Sequence, residues 1–417
     1  MSQQPLRFTG ARLIDGTGTT PVDNAVVVTD ASGQIAYAGT ADSAPPHQPE
    51  QHTVDVDGRV LLPGFIDCHV HLGLASPRAL LWNHLDQHRS LLAFETAERM
   101  RATLEAGVTT VRDLGGLDAG FRTAWQRGLV TGPRMQLALR LMSHTGGHAD
   151  FTQPSGFDPH TWLAGATEIA DSEQEAVVAT RRLIRDGADV IKVCATGGLS
   201  SPSDTPHDEG ITAAEITAIV DEARRHGGRA VAAHAQGAAG IRNAVEGGVT
   251  SVEHGYLIDD AGIELMLERG TFLVPTLNTF DYAGREHLMT DKAYAEKLRL
   301  GEVTFTRVAE AIRRGVRVAL GTDAGIAQHG ANLGELRFLT QLGMSPQQAI
   351  AAGTRDAAQL LGLADRIGTV EAGKLADLVV CDGDPLHDVE VLTDPTNIRM
   401  VVQAGQTVKD TTGTGPA

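Results

Sequence analysis

Cysteine is scarce in this chain: Cys68, Cys194 and Cys381 are the three present in 417 residues. Three scattered thiols cannot frame a disulfide-stapled fold, and a reducing cytoplasm is the expected setting. Aromatic residues make up only 4%, which argues against a sandwich packed from large rings, whereas 47 glycines suit closely packed α/β layers. Basic residues are outnumbered, 35 Lys and Arg against 52 Asp and Glu, for a formal net charge of −17. Nucleic acid is therefore not an expected partner. No apolar run approaches the roughly 20 residues of a membrane span, so no membrane partner is expected either. The start, Met1-Ser2-Gln3-Gln4-Pro5-Leu6-Arg7, has no basic region followed by a long apolar stretch, and no secretory leader is read there. What the chain does have is 42% hydrophobic residues, ample for a large core.

The opening stretch reads as short strands joined by turns. Arg12-Leu13-Ile14 precedes the turn Asp15-Gly16-Thr17-Gly18, and Ala25–Thr29 and Gln34–Ala38 follow as hairpin-like elements. From Leu61 onward, strands alternate with helical patterns such as Ala213–His226 and Gln236–Gly247, the mark of parallel βα units. Candidate strands are Gly64–Val70, Val108–Asp113, Met135–Leu139, Val190–Cys194, Ala230–His234, Ser251–His254, Thr271–Pro275 and Val316–Gly321. Eight such units over about 300 residues match an α/β fold of the (β/α)8, TIM-like barrel type. After Ile367 the pattern returns to β, with an apolar strand ending near Val380, another at Ile398–Val402 and a hairpin turn at Gly405-Gln406. Each β-rich end alone would leave an unpaired edge. The N- and C-terminal segments are therefore expected to form one small discontinuous β domain, residues 1–60 with 367–417, around a barrel of residues 61–366. The tail Thr411–Ala417 is expected to be disordered.

Chemistry concentrates first in Leu62-Pro63-Gly64-Phe65-Ile66-Asp67-Cys68-His69-Val70-His71. Residues i and i+2 of a strand share a face, so His69 and His71 can converge on one point; a helix would turn them roughly 200° apart. Alone, the pair is equally consistent with ordinary hydrogen-bonded strand histidines, and Cys68 between them turns away as packing. Barrel active sites lie at the C-terminal ends of the strands. Lys192 sits in the fourth candidate strand, His234 and His254 end the fifth and sixth, and Asp323 follows the eighth. Any one of these reads as a satisfied core residue; the set at one rim reads as a cation site. An ammonium between Ile191 and Val193 would be costly to bury. Burial lowers a lysine pKa, in documented cases to about 5–6, and the neutral amine can take up CO2 to form a carbamate able to bridge two cations. The competing reading pairs Lys192 with Asp189 or another carboxylate; the four histidines turn the balance toward the carbamate.

Further stretches carry a resemblance: Leu13-Ile14-Asp15-Gly16-Thr17-Gly18, Thr145-Gly146-Gly147-His148, Ala195-Thr196-Gly197-Gly198 with Ser201-Pro202-Ser203-Asp204, Glu253-His254-Gly255, and Gly373-Lys374-Leu375-Ala376-Asp377-Leu378. With the ligand-type residues above, they resemble the amidohydrolase superfamily, in its binuclear carboxylated-lysine branch and its prolidase-like and imidazolonepropionase-like group. The resemblance implies a metal-dependent hydrolase cleaving the C-terminal amide bond of dipeptides or N-acyl, including aryl-acyl, amino acids by a metal-bound hydroxide. It implies two divalent metal ions. His69, His71 and Asp323 would hold the more buried ion, His234 and His254 the more exposed one, and a CO2-derived carbamate on Lys192 would bridge them. Zinc is the favoured metal for such imidazole ligands, with manganese, cobalt and iron left open. Asp323 would take the hydroxide proton and pass it to the leaving amine. Two cations against carbamate, Asp323 and hydroxide leave a residual positive charge suited to an oxyanion. A homo-oligomer is implied by the family alone.

The alternative activity is hydrolysis of a cyclic amide or imidazolone-type ring. Deamination is disfavoured, because Ala235-Gln236-Gly237 follows His234 where deaminases of the superfamily carry an extra His-x-x-Glu. A non-catalytic protein retaining the barrel is disfavoured by the intact ligand set. Four residues are candidate substrate contacts. His148 is one by the resemblance, against a loop hydrogen bond, and His144 another, against a surface histidine. Tyr256 would reach the carbonyl oxygen or a substrate carboxylate, against a core tyrosine, and His329 would line the pocket. The loop Gly197–Glu209 reads as a lid or a long βα connection, and Asp113 as a residue that orients backbone or a ligand histidine.

Overall fold

Alternation in Leu6-Arg7-Phe8 buries one face of β1 (Leu6–Leu13) and leaves the other half-covered. The computed structural model describes residues 3–74, 87–152, 155–158, 167–199, 204–281 and 291–414. It divides into two units, Met1–Asp67 with Arg101–Thr110 and Gly330–Ala417, and Cys68–Met100 with Val111–His329.

In the first unit β1 pairs antiparallel with β2 (Val22–Thr29), and β2 with β3 (Ile35–Thr40). Asp15 shapes the intervening turn, its Oδ1 accepting from Thr17 N at 2.8 Å. β4 (His52–Asp55) and β5 (Val60–Pro63) lie parallel to β1.

The barrel strands are β6 (Phe65–Val70), β7 (Val108–Asp113), β8 (Arg134–Leu137), β9 (Leu141–Ser143), β10 (Thr167–Ile169), β11 (Val190–Cys194), β12 (Ala230–Ala235), β13 (Ser251–His254) and β14 (Phe272–Val274). They run in the orders β6-β7-β8 and β10-β9-β11-β12-β13-β14. Every residue of β11 and β13 is buried, as expected of parallel strands covered on both faces. Two seams close the ring. Asp189 N donates to Leu137 O at 2.8 Å beside β8. The extended segment 316–324 bridges in parallel to β14 through Val318 and Leu273, and to β6 through Ala324 and Val70. The result is the expected (β/α)8 barrel. Its third strand, expected whole over Met135–Leu139, is broken into β8 and β9 because Leu139 takes φ +67, a left-handed turn that ends a strand. The eighth makes isolated bridges and irregular backbone hydrogen bonds, such as Ala319 N to Leu273 O and Cys68 N to Leu320 O, instead of a regular strand ladder.

Helices between the strands begin on side-chain caps. Ser172 caps Glu173–Asp186, a Thr212–Glu215 capping box starts Ala213–Arg225, and Asp259 caps Asp260–Arg269. Left-handed Gly187 and Gly270 end the first and last of these.

The chain returns to the first unit through helices Gly334–Gln341, Pro346–Ala352 and Arg355–Leu360, then β15 (Leu378–Cys381), β16 (Ile398–Gln403) and β17 (Gln406–Asp410). β15 pairs antiparallel with β5, from Leu378 opposite Pro63 to Cys381 opposite Val60. One sheet, β17-β16-β15-β5-β1-β2-β3 with β4 on β1, therefore joins both ends of the chain. Phe8, Leu13, Val27, Leu61, Val380 and Met400 meet in its core. Residues 411–414, expected to be disordered, are instead tied down: Thr411 N donates to Arg399 O at 2.8 Å, and His52 Nε2 to Thr414 O at 2.9 Å. Residues 415–417 lie outside the described residues. The three cysteines are buried and free. Among the described residues, no helix is long and apolar enough to cross a membrane.

Candidate metal centre

His69 and His71 leave the end of β6 with ring centroids 5.3 Å apart. The His254 ring lies 5.0 Å from that of His69 and 4.5 Å from that of His234. Asp323 Oδ1 is 3.3 Å from His71 Nε2 and 3.6 Å from His69 Nε2. One ligand atom each from His69, His71 and Asp323 lies within 4.8 Å of the others, close enough for one cation to gather. Two of the contributing strand ends turn sharply, His254 with φ +73 and Asp323 with φ +56. Strict alternation would send Glu253 and His254 to opposite faces, and the left-handed turn brings both toward His69.

Each imidazole has one nitrogen occupied away from the cluster. His71 Nδ1 donates to Gly115 O at 2.8 Å and His234 Nε2 to Gly197 O at 3.1 Å. Carbonyls only accept, so neutral His234 keeps the lone pair of its Nδ1. His69 Nδ1 lies 2.9 Å from Glu253 Oε2 and His254 Nδ1 2.8 Å from Thr276 Oγ1. Burial pushes His69, His234 and His254 well below the usual imidazole pKa, reinforced by neighbouring positive groups. They are neutral ligand-type imidazoles at pH 7. His71 differs: burial lowers its pKa, but the hydrogen bond and charge of Asp323 outweigh that and raise it.

Lys192 projects from the middle of β11 and is 1% exposed. Its Nζ is buried with no hydrogen-bond partner among the described residues. It is one of the positive groups that lower the pKa of His69, His234 and His254. Asp189 is not its partner, being paired instead with Arg122 and with Leu137 N. The donor set, neutral imidazoles with a carboxylate and an orphaned buried amine, fits divalent cations.

Sequence reasoning assigns no role to Arg112, Glu253, Thr276 or Asp204. Arg112 Nη2 donates to Glu253 Oε1 at 2.8 Å, and neither side chain is exposed. The available signal is a charge set within a buried strand, Arg112 beside Val111 and Glu253 beside Val252. Burial raises the Asp113 pKa to about 6. Its carboxylate accepts from Leu72 N at 2.8 Å and Gly115 N at 3.0 Å, so it orients the backbone whose Gly115 carbonyl holds His71.

His148 stacks on His234, centroids 4.2 Å apart and planes 19° from parallel, with Nδ1 3.2 Å from Asp204 Oδ2. Tyr256 lies 5.3 Å from His254, its hydroxyl 3.0 Å from Thr276 Oγ1 and 2.9 Å from Thr279 Oγ1. The structure therefore sets Tyr256 against the threonine that also meets His254. His144 lies beside a turn where Nδ1 donates to Thr145 O at 2.8 Å. His329 Nε2 donates to Leu74 O at 2.7 Å, and burial pushes its pKa down to about 4. In the loop Gly197–Glu209, Asp204 Oδ1 accepts from Gly198 N at 2.9 Å. Residues 200–203 lie outside the described residues.

Comparison with known proteins identifies the family. The model of the amidohydrolase family matches residues 60–408. An ochratoxinase of Aspergillus niger is 33% identical over 422 residues, covering 97% of this chain and 86% of its own. An imidazolonepropionase of Methylobacterium nodulans is 27% identical over 392 residues, covering 85% and 87% respectively. The crystal structure of a prolidase complexed with N-methylphosphonate-L-proline superposes with a TM-score of 0.89 at 31% identity, over 97% of this chain and 100% of that one. The chain thus belongs to the amidohydrolase family, in its prolidase-like and imidazolonepropionase-like group, and is a hydrolase of C–N bonds.

Proposed function

We propose that this hydrolase cleaves the C-terminal amide bond of dipeptides or N-acyl, including aryl-acyl, amino acids. His69, His71 and Asp323 would hold one divalent ion and His234 and His254 a second, with zinc the favoured metal and a carbamate on Lys192 shared between them. The Lys192 amine carries this reading: it is 1% exposed and unpartnered among the described residues, amid the site imidazoles. Uptake of CO2 would resolve that cost. Nζ forms a bond to the CO2 carbon and loses one proton, leaving an anion with two oxygens for ligation. When bound, the ions would acidify water to a neutral-pH nucleophile and polarise the amide carbonyl. Asp323, with Oδ1 turned to two imidazoles, is assigned the proton taken from the nucleophile and given to the leaving nitrogen. His148, beside His234, is assigned a substrate contact.

Two relatives support this substrate class: a prolidase that binds an N-substituted proline, and an ochratoxinase. The test is a library of dipeptides and N-acyl amino acids incubated with zinc-loaded protein, with free amino acid as the readout. Release from no member would eliminate the proposal. The imidazolonepropionase relative favours a second reading, opening of an imidazolone-type ring, and ultraviolet loss of such a substrate without amino acid release would select it.

A further inference from the structure

Of the four site imidazoles, His69 alone has the nitrogen turned away from the cluster bonded to a carboxylate. Glu253 Oε2 lies 2.9 Å from its Nδ1, where the others use Gly115 O, Gly197 O and Thr276 Oγ1. Glu253 is fixed in turn through its other oxygen. Oε1 accepts from Arg112 Nη2 at 2.8 Å and from Ser251 Oγ at 2.5 Å. Arg112 is itself held, Nε donating to Cys68 O at 2.6 Å and Nη1 to Ser251 Oγ at 3.0 Å. Ser251 is buried, as are the fully enclosed Arg112 and Glu253, so water cannot substitute for a lost partner.

We infer that Arg112, Ser251 and Glu253 are positioning residues that act as one tautomer lock, holding His69 as its Nδ1–H form with the Nε2 lone pair aimed at the Asp323 side of the cluster. A guanidinium cannot accept a hydrogen bond, and the Ser251 hydroxyl gives its proton to Oε1. The carboxylate must therefore spend Oε1 on them and present Oε2, a pure acceptor, to His69. Such partners behind a ligating histidine set ring orientation and basicity, and their loss costs about 10–100-fold in metal affinity. The functional meaning rests on the metal reading proposed above; the tautomer itself does not.

Glu253→Gln separates the lock from mere packing, because it keeps the shape and changes one oxygen into a donor. Arg112 and Ser251 require an acceptor at the Oε1 position, so the amide nitrogen must face His69 Nδ1. His69 must then accept there and carry its hydrogen on Nε2, where a cation would bind. The experiment is two-bond 1H–15N spectroscopy of the full-length, metal-free protein labelled at histidine, with His69 assigned by His69→Gln. Zinc affinity is measured in parallel against a chelator. Wild type should show His69 as Nδ1–H. Glu253→Gln should show Nε2–H and bind zinc about 10–100-fold more weakly. Adding Arg112→Met frees the amide to turn over and should return His69 to Nδ1–H, whereas damage to packing alone would accumulate. Wild-type His69 in the Nε2–H form, which needs no Glu253 variant to observe, overturns the lock. So does a Glu253→Gln protein that keeps Nδ1–H. A flipped tautomer with unchanged zinc affinity supports the lock and overturns the assignment of His69 as a ligand.

Discussion

Replacing Lys192 by methionine should stabilise the metal-free protein while abolishing hydrolysis. Lys192 is 1% exposed and its Nζ has no hydrogen-bond partner among the described residues. Burial lowers its pKa further than Glu253, Cys194 and Asp323 raise it. Methionine nearly matches the length and flexibility of the lysine stem, so little cavity or overpacking cost is expected. What disappears is an unsatisfied buried polar group, which costs about 1–3 kcal/mol, and more where charge is retained. The variant should therefore gain at least about 1 kcal/mol once metal and CO2 are removed from both proteins. Urea unfolding after exhaustive chelation in CO2-free buffer measures this, with midpoints compared only if the slopes agree. Metal content and turnover are followed on the same preparations, and both should collapse in Lys192→Met. A metal-free variant less stable than wild type by about 1 kcal/mol or more would refute the reasoning. The amine would then be stabilising where it stands, and the carbamate would lose its support.

Asp323→Asn should keep the fold, since asparagine tolerates the φ of +56 found there. It should lower kcat by about 10²–10⁴ with little change in folding midpoint; near-wild-type turnover would remove Asp323 from proton transfer. His329 has its pKa depressed to about 4 by burial against a usual value of 6.5. The unfolded chain therefore binds the proton more readily, and this contribution is complete above pH 6.5 and lost as pH falls toward 4, at most about 3 kcal/mol. His329→Gln, which can still donate to Leu74 O, should flatten the acid limb of unfolding free energy against pH by no more than one proton. An unchanged limb contradicts the shift. In Gly198→Ala the added Cβ would lie 2.5 Å from His148 Cε1 and 3.0 Å from its Nε2. Displacing that ring from His234 costs about 1 kcal/mol, and a roughly fivefold rise in KM is expected; an unchanged KM argues against substrate contact by His148.

Much of the architecture could be read locally, because buried strands leave short runs rich in β-branched residues between helical patterns. Val108–Asp113, Val190–Cys194 and Ser251–His254 have the same ends in sequence and structure. The third and eighth strands could not be read in this way. A left-handed Leu139 divides one, and the other pairs irregularly, through isolated bridges to Leu273 and Val70 and scattered backbone hydrogen bonds. His69 and His71 announce themselves through strand alternation, but the nearness of both Glu253 and His254 to His69 depends on a backbone turn that alternation does not encode. Arg112 was illegible for a different reason. Its partners Cys68, Ser251 and Glu253 lie 44, 139 and 141 residues away, so no local pattern reports what neutralises it. Lys192 was legible as an anomaly, while the diversion of Asp189 to Arg122 required coordinates.

The left-handed backbone at His254 and Asp323 narrows what can evolve at these two positions. Among residues other than glycine, histidine, aspartate and asparagine are the ones that enter that conformation most readily. Two of the three are also good cation ligands, so the bends act as filters on the genetic alphabet. Exchanging the His254 imidazole for a thiolate, or lengthening Asp323 to glutamate, would burden the main chain as well as altering the proposed ligand set. If the proposed centre holds metal, retuning it should succeed sooner at His69, His71 and His234, whose backbones impose no such entry condition.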